Sequence, residues 1–370
     1  MIGLLNFVAA DTVLANEAYN TASSLNKEPV QVILQSQSKY FTSSKLLYGT
    51  GESIQMDVIN GPPTPPAGYA LERSAVVLPE SMQKNGMKSL AVPTYRWVLG
   101  CSSVSAAMIA AYYDRNGFPH IYTGPTNGGV MPLDSSYWPT WTDGHQIYPN
   151  LPLAGSHQGV DGRTARGSLD DYWMYYGSTD NDPFISQGWN QHSWGDAIGD
   201  YMRTSQSASN NSDGSTCFYN YPGSATRLTC DDMTSYLIHT NDGTYGRKLF
   251  YEARGYKVIE CYNQNTDNNV EGGFSFDQFK AEIDANRPVL LNLKGHSVVG
   301  VGYDDYNATV YINDTWDYNN HAMKWGGSYA GMPLMSVSIV NLQRPSTPGN
   351  QTPGVTSKMI MPWINLLLDL

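Results

Sequence analysis

Apolar positions follow a helical period in the middle of the chain and a strand-like pattern towards its end. Val104, Ala107, Met108, Ala111 and Tyr112 are spaced i, i+3, i+4, i+7, i+8, the period of one helix face. Ser102 or Ser103 is placed to cap this helix and Gly117 to end it. Further helices are predicted in SLDDYWMYYG (168–177), SWGDAIGDYMRTS (193–205), YGRKLFYEARG (245–255) and SFDQFKAEIDAN (275–286). Ser275 caps the last of these, which stops before Arg287-Pro288. Strands are predicted in PVQVILQ (29–35) and, after the helices, in PVLLNL (288–293), HSVVGVGYDD (296–305), ATVYINDTW (308–316) and MSVSIVNL (335–342). Helices first and strands last predict an α+β fold, an antiparallel sheet packed on helices.

Two proline-rich stretches punctuate this pattern. NGPPTPPAGY (60–69) and RPSTPGNQTPGV (344–355) can be neither helix nor central strand. The expected division is an N-terminal region at 1–60, a Pro-rich linker at 61–90, a main domain at 91–342 and a C-terminal tail at 343–370. No internal repeat is present. The stretch Tyr122–Gly167 is long and poorly periodic, and its YWPTWTDGHQIYP is read either as the aromatic wall of a cleft or as a surface excursion.

Composition narrows the class. Apolar residues make up 41% of the 370, enough for a large core, and charged residues only 15%. The 26 Tyr, 35 Gly and 21 Pro beside few lysines suit an exported protein, secreted or at a cell surface. With a net charge of −11 and no basic stripe, a nucleic-acid partner is not expected. No run is long and apolar enough to span a membrane. The first twenty residues lack the basic start of a signal peptide, so the start reads as trimmed, and the apolar end MIMPWINLLLDL reads as truncated.

The four cysteines, Cys101, Cys217, Cys230 and Cys261, have no zinc spacing, and no metal or other cofactor is expected. Cys217 and Cys230 bracket a turn-rich loop and are read as a disulfide or as two separate thiols, and Cys261 as a core thiol. Cys101 opens the helix at 101–117, where the positive end of the helix dipole favours the nucleophilic thiolate. A single buried cysteine is more often an inert small hydrophobe. His296 opens a β-branched run, and a hairpin turning near Asp305–Ala308 would set it opposite Asp314. A carboxylate there would fix the imidazole tautomer and orient its other nitrogen. A Cys nucleophile, a His base and an Asp orienter are then all in hand.

These stretches resemble the papain-like cysteine peptidases, in particular the bacterial C39-like branch. The likeness lies in W-x-x-G-C-S (Trp97–Ser102), F-x-x-E-I-D-x-x-R-P-V (Phe279–Val289), H-S-V-V-G-V-G-Y-D (His296–Asp304) and I-N-D-T-W (Ile312–Trp316), within roughly 92–342. The resemblance implies a papain-like fold with the cysteine on the central helix and the His and Asp on the sheet. It implies Cys101 as nucleophile, His296 as base and then acid, Asp314 as orienter and Trp316 as the shielding indole, with Asn313 a weaker orienter. It also implies a peptide or protein substrate, a thioester intermediate and a pro-segment or accessory role for residues 1–60.

Two departures stand out. Papain-like enzymes carry a glutamine six residues before the cysteine to bind the oxyanion; here Tyr95 stands there, leaving its hydroxyl and the Cys101 backbone N–H as donors. His296 follows Cys101 by 195 positions, against roughly 130–150 in papain-type chains. The extra length is assigned to 122–167 and 205–229. Two other functions use the same parts: transglutaminase-like acyl transfer, or a catalytically silent papain-like binding module. His120, His145, His157, His192, His239 and His321 show no ligand spacing and are read as structural or surface residues, with His145 and His157 able to line a cleft. TDNDP and NQNTDNN match no calcium-loop template and are read as solvated loops. The sequence leaves the oligomeric state open.

Overall fold

Alternating and β-branched segments at both ends of the described chain become antiparallel sheet. The computed structural model describes residues 28–78, 86–98, 100–122, 130–137, 141–142, 147–148, 151, 153–154, 195, 197–204, 209, 211 and 213–345. The helix expected at 168–177, His145, His157, His192 and TDNDP lie outside the described residues, as does most of Tyr122–Gly167.

In chain order the elements are β1 (Pro29–Gln37), β2 (Phe41–Tyr48), β3 (Ser53–Ile59), β4 (Met87–Ser89), α1 (Cys101–Arg115), β5 (Trp141–Thr142), β6 (Ile147–Tyr148), α2 (Ile198–Tyr201), β7 (Thr216–Asn220), β8 (Leu228–Thr229), α3 (Cys230–Ser235), α4 (Gly243–Ala253), β9 (Val258–Asn265), α5 (Phe276–Asp284), β10 (Val289–Leu293), β11 (His296–Asp304), β12 (Thr309–Asn313), β13 (His321–Lys324), β14 (Ser328–Tyr329) and β15 (Met332–Leu342). The main sheet runs β13-β12-β11-β10-β15-β9-β8, with β4 joined to β11 and β14 to β15. A second sheet runs β1-β2-β3-β7, so a strand from residues 216–220 completes a sheet begun at residue 29. The fold is α+β with antiparallel sheets and few helices, and among the described residues no helix is long and apolar enough to cross a membrane.

Helix α1 departs from the one-faced pattern expected of it. Residues 101–114 are all buried, because α1 packs on β10 and β11 and is enclosed from its other sides too. The small side chains of Ser102, Ser103, Ser105 and four alanines make that enclosure possible, and an element wrapped all round needs no polar face. Its N-cap is Gly100, not Ser102 or Ser103. Gly100 has φ +111°, and a Cβ there would sit 2.5 Å from the Gly214 carbonyl oxygen, so only glycine fits. Past the far end, the buried Asp114 carboxylate accepts the backbone N–H groups of Ile121, Tyr122 and Met131 and pins the following chain.

Other local signals hold. Ser275 caps α5 in a reciprocal box with Gln278. The expected helix at 245–255 is α4, shifted to Gly243–Ala253 because Asp242 caps it by accepting from the N–H groups of Thr244 and Tyr245. Of the helix expected at 193–205, the described residues show the single turn α2.

The disulfide is a correction. Cys230 bonds to Cys261, and Cys217 is a free thiol. Strand register is the cause: Leu228 pairs with Asn263 and Thr229 with Tyr262, so the next step sets Cys230 beside Cys261. Cys217 sits instead on β7, opposite Val58 of β3.

Candidate active site

The tight turn at Gly100 and the start of α1 put Cys101 beside the first residues of β11, where the Ser297 backbone N–H donates to its Sγ at 3.3 Å. A buried ladder of hydroxyls ties the two elements together. Ser297 Oγ donates to Asn292 Oδ1 at 3.0 Å, which leaves it to accept from Ser102 Oγ at 2.8 Å, while Ser105 Oγ donates to the Ser297 carbonyl at 3.0 Å. Each unmet partner in such a buried set would cost about 1–3 kcal/mol, so the ladder holds the helix start against the strand.

His296 is the first residue of β11, and its ring is fully buried. Its Nε2 lies 2.8 Å from the main-chain carbonyl oxygen of Asp314, with Thr315 Oγ1 at 3.4 Å. A carbonyl only accepts, so Nε2 carries the proton and Nδ1 of the neutral ring bears the lone pair. Nδ1 has no hydrogen-bond partner. The point where Gly61 would carry a Cβ is 2.5 Å from His296 Nδ1 and 2.5 Å from Cys101 Sγ, so these two atoms face one locus and are no more than 5.0 Å apart. Trp316 stacks on the imidazole, centroids 4.1 Å apart and planes 11° from parallel.

Asp314 meets the ring through its backbone and not through its carboxylate, contrary to the expected hairpin pairing. β11 and β12 pair Val299 with Asn313, and continuing that register sets Asp314 level with Val298 and Trp316 level with His296. The Asp314 carboxylate faces elsewhere. Its Oδ2 takes Arg73 Nε at 2.9 Å and the Tyr329 hydroxyl at 2.8 Å, with His321 Nε2 at 3.5 Å, and its Oδ1 accepts from the Trp316 N–H at 3.0 Å. Arg73 Nη2 also reaches Asp317 Oδ2 at 3.1 Å, and its guanidinium carbon lies 5.0 Å from the Trp316 ring. Asp314, Asp317 and His321 bring donor atoms within 4.8 Å of one another, a spacing that suits a cation, and the positive charge between the two carboxylates is the Arg73 guanidinium.

The remaining expected residues have other partners. Asn313 donates to the carbonyls of Val92 and Pro93, which anchors the segment leading into α1. The buried Tyr95 hydroxyl donates to the Pro132 carbonyl at 2.8 Å, so it is committed away from the oxyanion role expected of it. Nearer the helix, the Trp97 backbone N–H donates to the Thr315 carbonyl, and its indole N–H is buried without a partner. His321, on β13, donates from Nε2 to Asp317 Oδ1 at 3.0 Å.

Burial governs the ionisation of the pair. The Cys101 thiol is pushed up to about 11, chiefly by desolvation, against the lowering effect of the Ser297 N–H. Desolvation likewise pushes His296 down to about 4, against the Asp314 carbonyl and charge. The helix dipole was expected to favour thiolate, but a helix end contributes about 0.3–1 kcal/mol, while full burial moves a pKa by as much as roughly 3–5 units. Burial therefore favours the neutral form of both thiol and imidazole.

Sequence reasoning passed over Arg73 and Gly61, both inside the stretch taken as a linker. Neither carries a local signal: a lone arginine and an N-G-P-P turn acquire meaning only from what they pack against.

No curated protein and no solved structure matches the chain. A family model does match over residues 89–330, about two thirds of the chain, and it spans Cys101, His296, Asp314 and Trp316. The chain belongs to the Peptidase_C39 like family.

Proposed function

We propose that this protein is a cysteine peptidase of papain-like architecture, with Cys101 as nucleophile and His296 as its base. The observation that carries this reading is the facing of Cys101 Sγ and the unprotonated His296 Nδ1 on one locus, with the ring's tautomer set by Nε2–H donating to the Asp314 carbonyl. A buried central helix that begins at the cysteine and packs on the strand bearing the histidine supports the papain-like description.

In the proposed reaction the Cys101 thiol proton passes to His296 Nδ1 as sulfur attacks the peptide carbonyl carbon. His296 Nδ1–H then protonates the leaving amine, the C–N bond breaks, and a thioester remains. Water attacks the thioester while His296 takes its proton and returns it to sulfur, releasing the acid. The Asp314 carbonyl stabilises the transient imidazolium, and Trp316 excludes water from one ring face. The Cys101 backbone N–H at the start of α1 is the proposed oxyanion donor.

A second reading, the silent binding module, is favoured by the neutral, fully buried pair. Cleavage of an unstructured protein substrate, followed by mass spectrometry of the products, separates the two. Cys101→Ser should abolish cleavage while leaving the melting temperature unchanged; cleavage that survives the substitution sinks the peptidase reading. Cleaved termini that carry an added amine would point to acyl transfer. An exported location belongs to the same proposal and is supported by composition and by the Cys230–Cys261 bridge. So does a main domain at about 91–342, with the N-terminal segment packed on it through β7.

A further inference from the structure

We propose that Arg73, which lies outside the family match, is a positioning residue for His296; this rests on the peptidase reading above. Two contacts carry it. The guanidinium holds Asp314 Oδ2 at 2.9 Å through Nε and 2.8 Å through Nη2, and so fixes the residue whose carbonyl meets His296 Nε2. The same guanidinium lies 5.0 Å from the Trp316 ring that stacks on the imidazole. The charged or titratable groups facing the ring are the Cys101 thiol from α1, Asp314 after β12 and Arg73, while Tyr329 on β14 and His321 on β13 meet the Asp314 carboxylate and Asp317 meets Arg73 and His321. Arg73 is thus the cation that neutralises the nearest carboxylate.

The test is histidine NMR titration together with steady-state kinetics on Arg73→Gln and Arg73→Lys, with His296→Gln assigning the signal. Arg73→Gln should raise the His296 midpoint by about half a pH unit or more, because the Asp314 carboxylate then loses its guanidinium partner. It should lower kcat about tenfold with KM unchanged. Arg73→Lys should restore the midpoint and recover only part of kcat, since an ammonium lacks the planar fork. A Gln variant with wild-type midpoint and kcat, or Lys and Gln variants that behave alike, overturns the proposal. If the Gln variant does not fold, Asp317→Asn, which frees one arm of the guanidinium, should lower kcat several-fold, and an unchanged kcat overturns it. The NMR midpoint is read without turnover, so a shift in a protein that cleaves nothing sinks the peptidase reading alone.

A separate observation carries a second inference: the geometry points to Asn60–Pro62 as a strap that closes the candidate site and must lift before a substrate enters. Gly61 lies over the pair so closely that a Cβ would meet Cys101 Sγ and His296 Nδ1 at 2.5 Å each. The Pro62 carbonyl accepts from Trp316 Nε1 at 2.8 Å, and Asn60 Nδ2 donates to Asp213 Oδ2 at 2.9 Å. Gly61 and Pro62 are themselves buried, while Pro63 is exposed. The test is iodoacetamide labelling of Cys101 in a Cys217→Ser background, mapped by mass spectrometry near neutral pH. Gly61→Ala should speed labelling about tenfold or more over the parent, and Asn60→Ala by less. A parent Cys101 that labels as fast as free cysteine overturns the strap, as does a folded Gly61→Ala protein with an unchanged rate. If Gly61→Ala fails to fold, Asn60→Ala decides on the same criterion. Faster labelling with no cleavage of any peptide leaves the strap standing and sinks the peptidase reading.

Discussion

His296 Nε2 lies 2.8 Å from the main-chain oxygen of Asp314, while the Asp314 carboxylate is bound by Arg73, Tyr329 and the Trp316 N–H. The side chain therefore anchors the loop, and the backbone touches the ring. Asp314→Asn keeps the carbonyl and should cost far less than the roughly 10⁴-fold loss seen when a carboxylate itself orients a catalytic histidine. We expect a fall in kcat/KM of about tenfold, with lowered stability because Arg73 loses its buried partner. A loss near 10⁴ with the melting temperature unchanged would restore the carboxylate to the orienting role.

Tyr95 offers a complementary check on the oxyanion site. Its hydroxyl donates to the Pro132 carbonyl at 2.8 Å. Tyr95→Phe should lower unfolding free energy by about 0.5–1.5 kcal/mol and leave kcat unchanged. An oxyanion donor would instead cost about 10²–10³ in kcat. Urea melts and single-substrate kinetics on the same preparation distinguish the two.

The His321–Asp317 pair makes stability depend on pH. Burial works against the charged form of His321, but the hydrogen bond to Asp317 and the charges of Asp314 and Asp317 outweigh it and raise its pKa. Its contribution is full below the unfolded value of about 6.5 and is lost as pH rises through the higher folded value. Burial likewise opposes charge on Asp317, yet His321, the Asn319 N–H and Arg73 hold it down at about 2. That contribution is present above about 4 and is lost as pH falls towards 2. The pair therefore stabilises most between about pH 4 and 6.5. Chemical denaturation across pH should show wild type losing stability relative to His321→Gln above neutrality; parallel curves would rule the pair out.

The Cys230–Cys261 bridge spans 31 positions. Cys230→Ser should lower stability by roughly 3–4 kcal/mol, and Cys217→Ser by far less. Reductant added during a urea melt should reproduce the first effect in wild type and have none in Cys230→Ser.

Several elements were legible because their signals are local. The Ser275 cap, the alternation of β1 and the β-branched runs of β10, β11, β12 and β15 need only neighbours within a few residues to be read. The order Cys101, His296, Asp314, Trp316 was read through resemblance to a family, and the family match spans those positions. Register was not legible. A hairpin counted from its turn set His296 opposite Asp314, whereas the turn at Asp305–Asn307 and the irregularity between Gly300 and Gly302 shift the pairing and bring Trp316 level with the ring. Register also chose Cys261 over Cys217 as the partner of Cys230.

Residue types and their order determined which groups are candidates for chemistry, because a thiol at a helix start and an imidazole at a strand start are written in the chain itself. Tertiary structure decided how they stand. It buried the pair, which favours the neutral form of each, gave His296 a carbonyl in place of a carboxylate, set Arg73 on Asp314, and laid Gly61 over the sulfur. Those outcomes depend on contacts between residues as far apart as 73 and 314, where packing and desolvation energies act across space and leave no periodicity along the sequence.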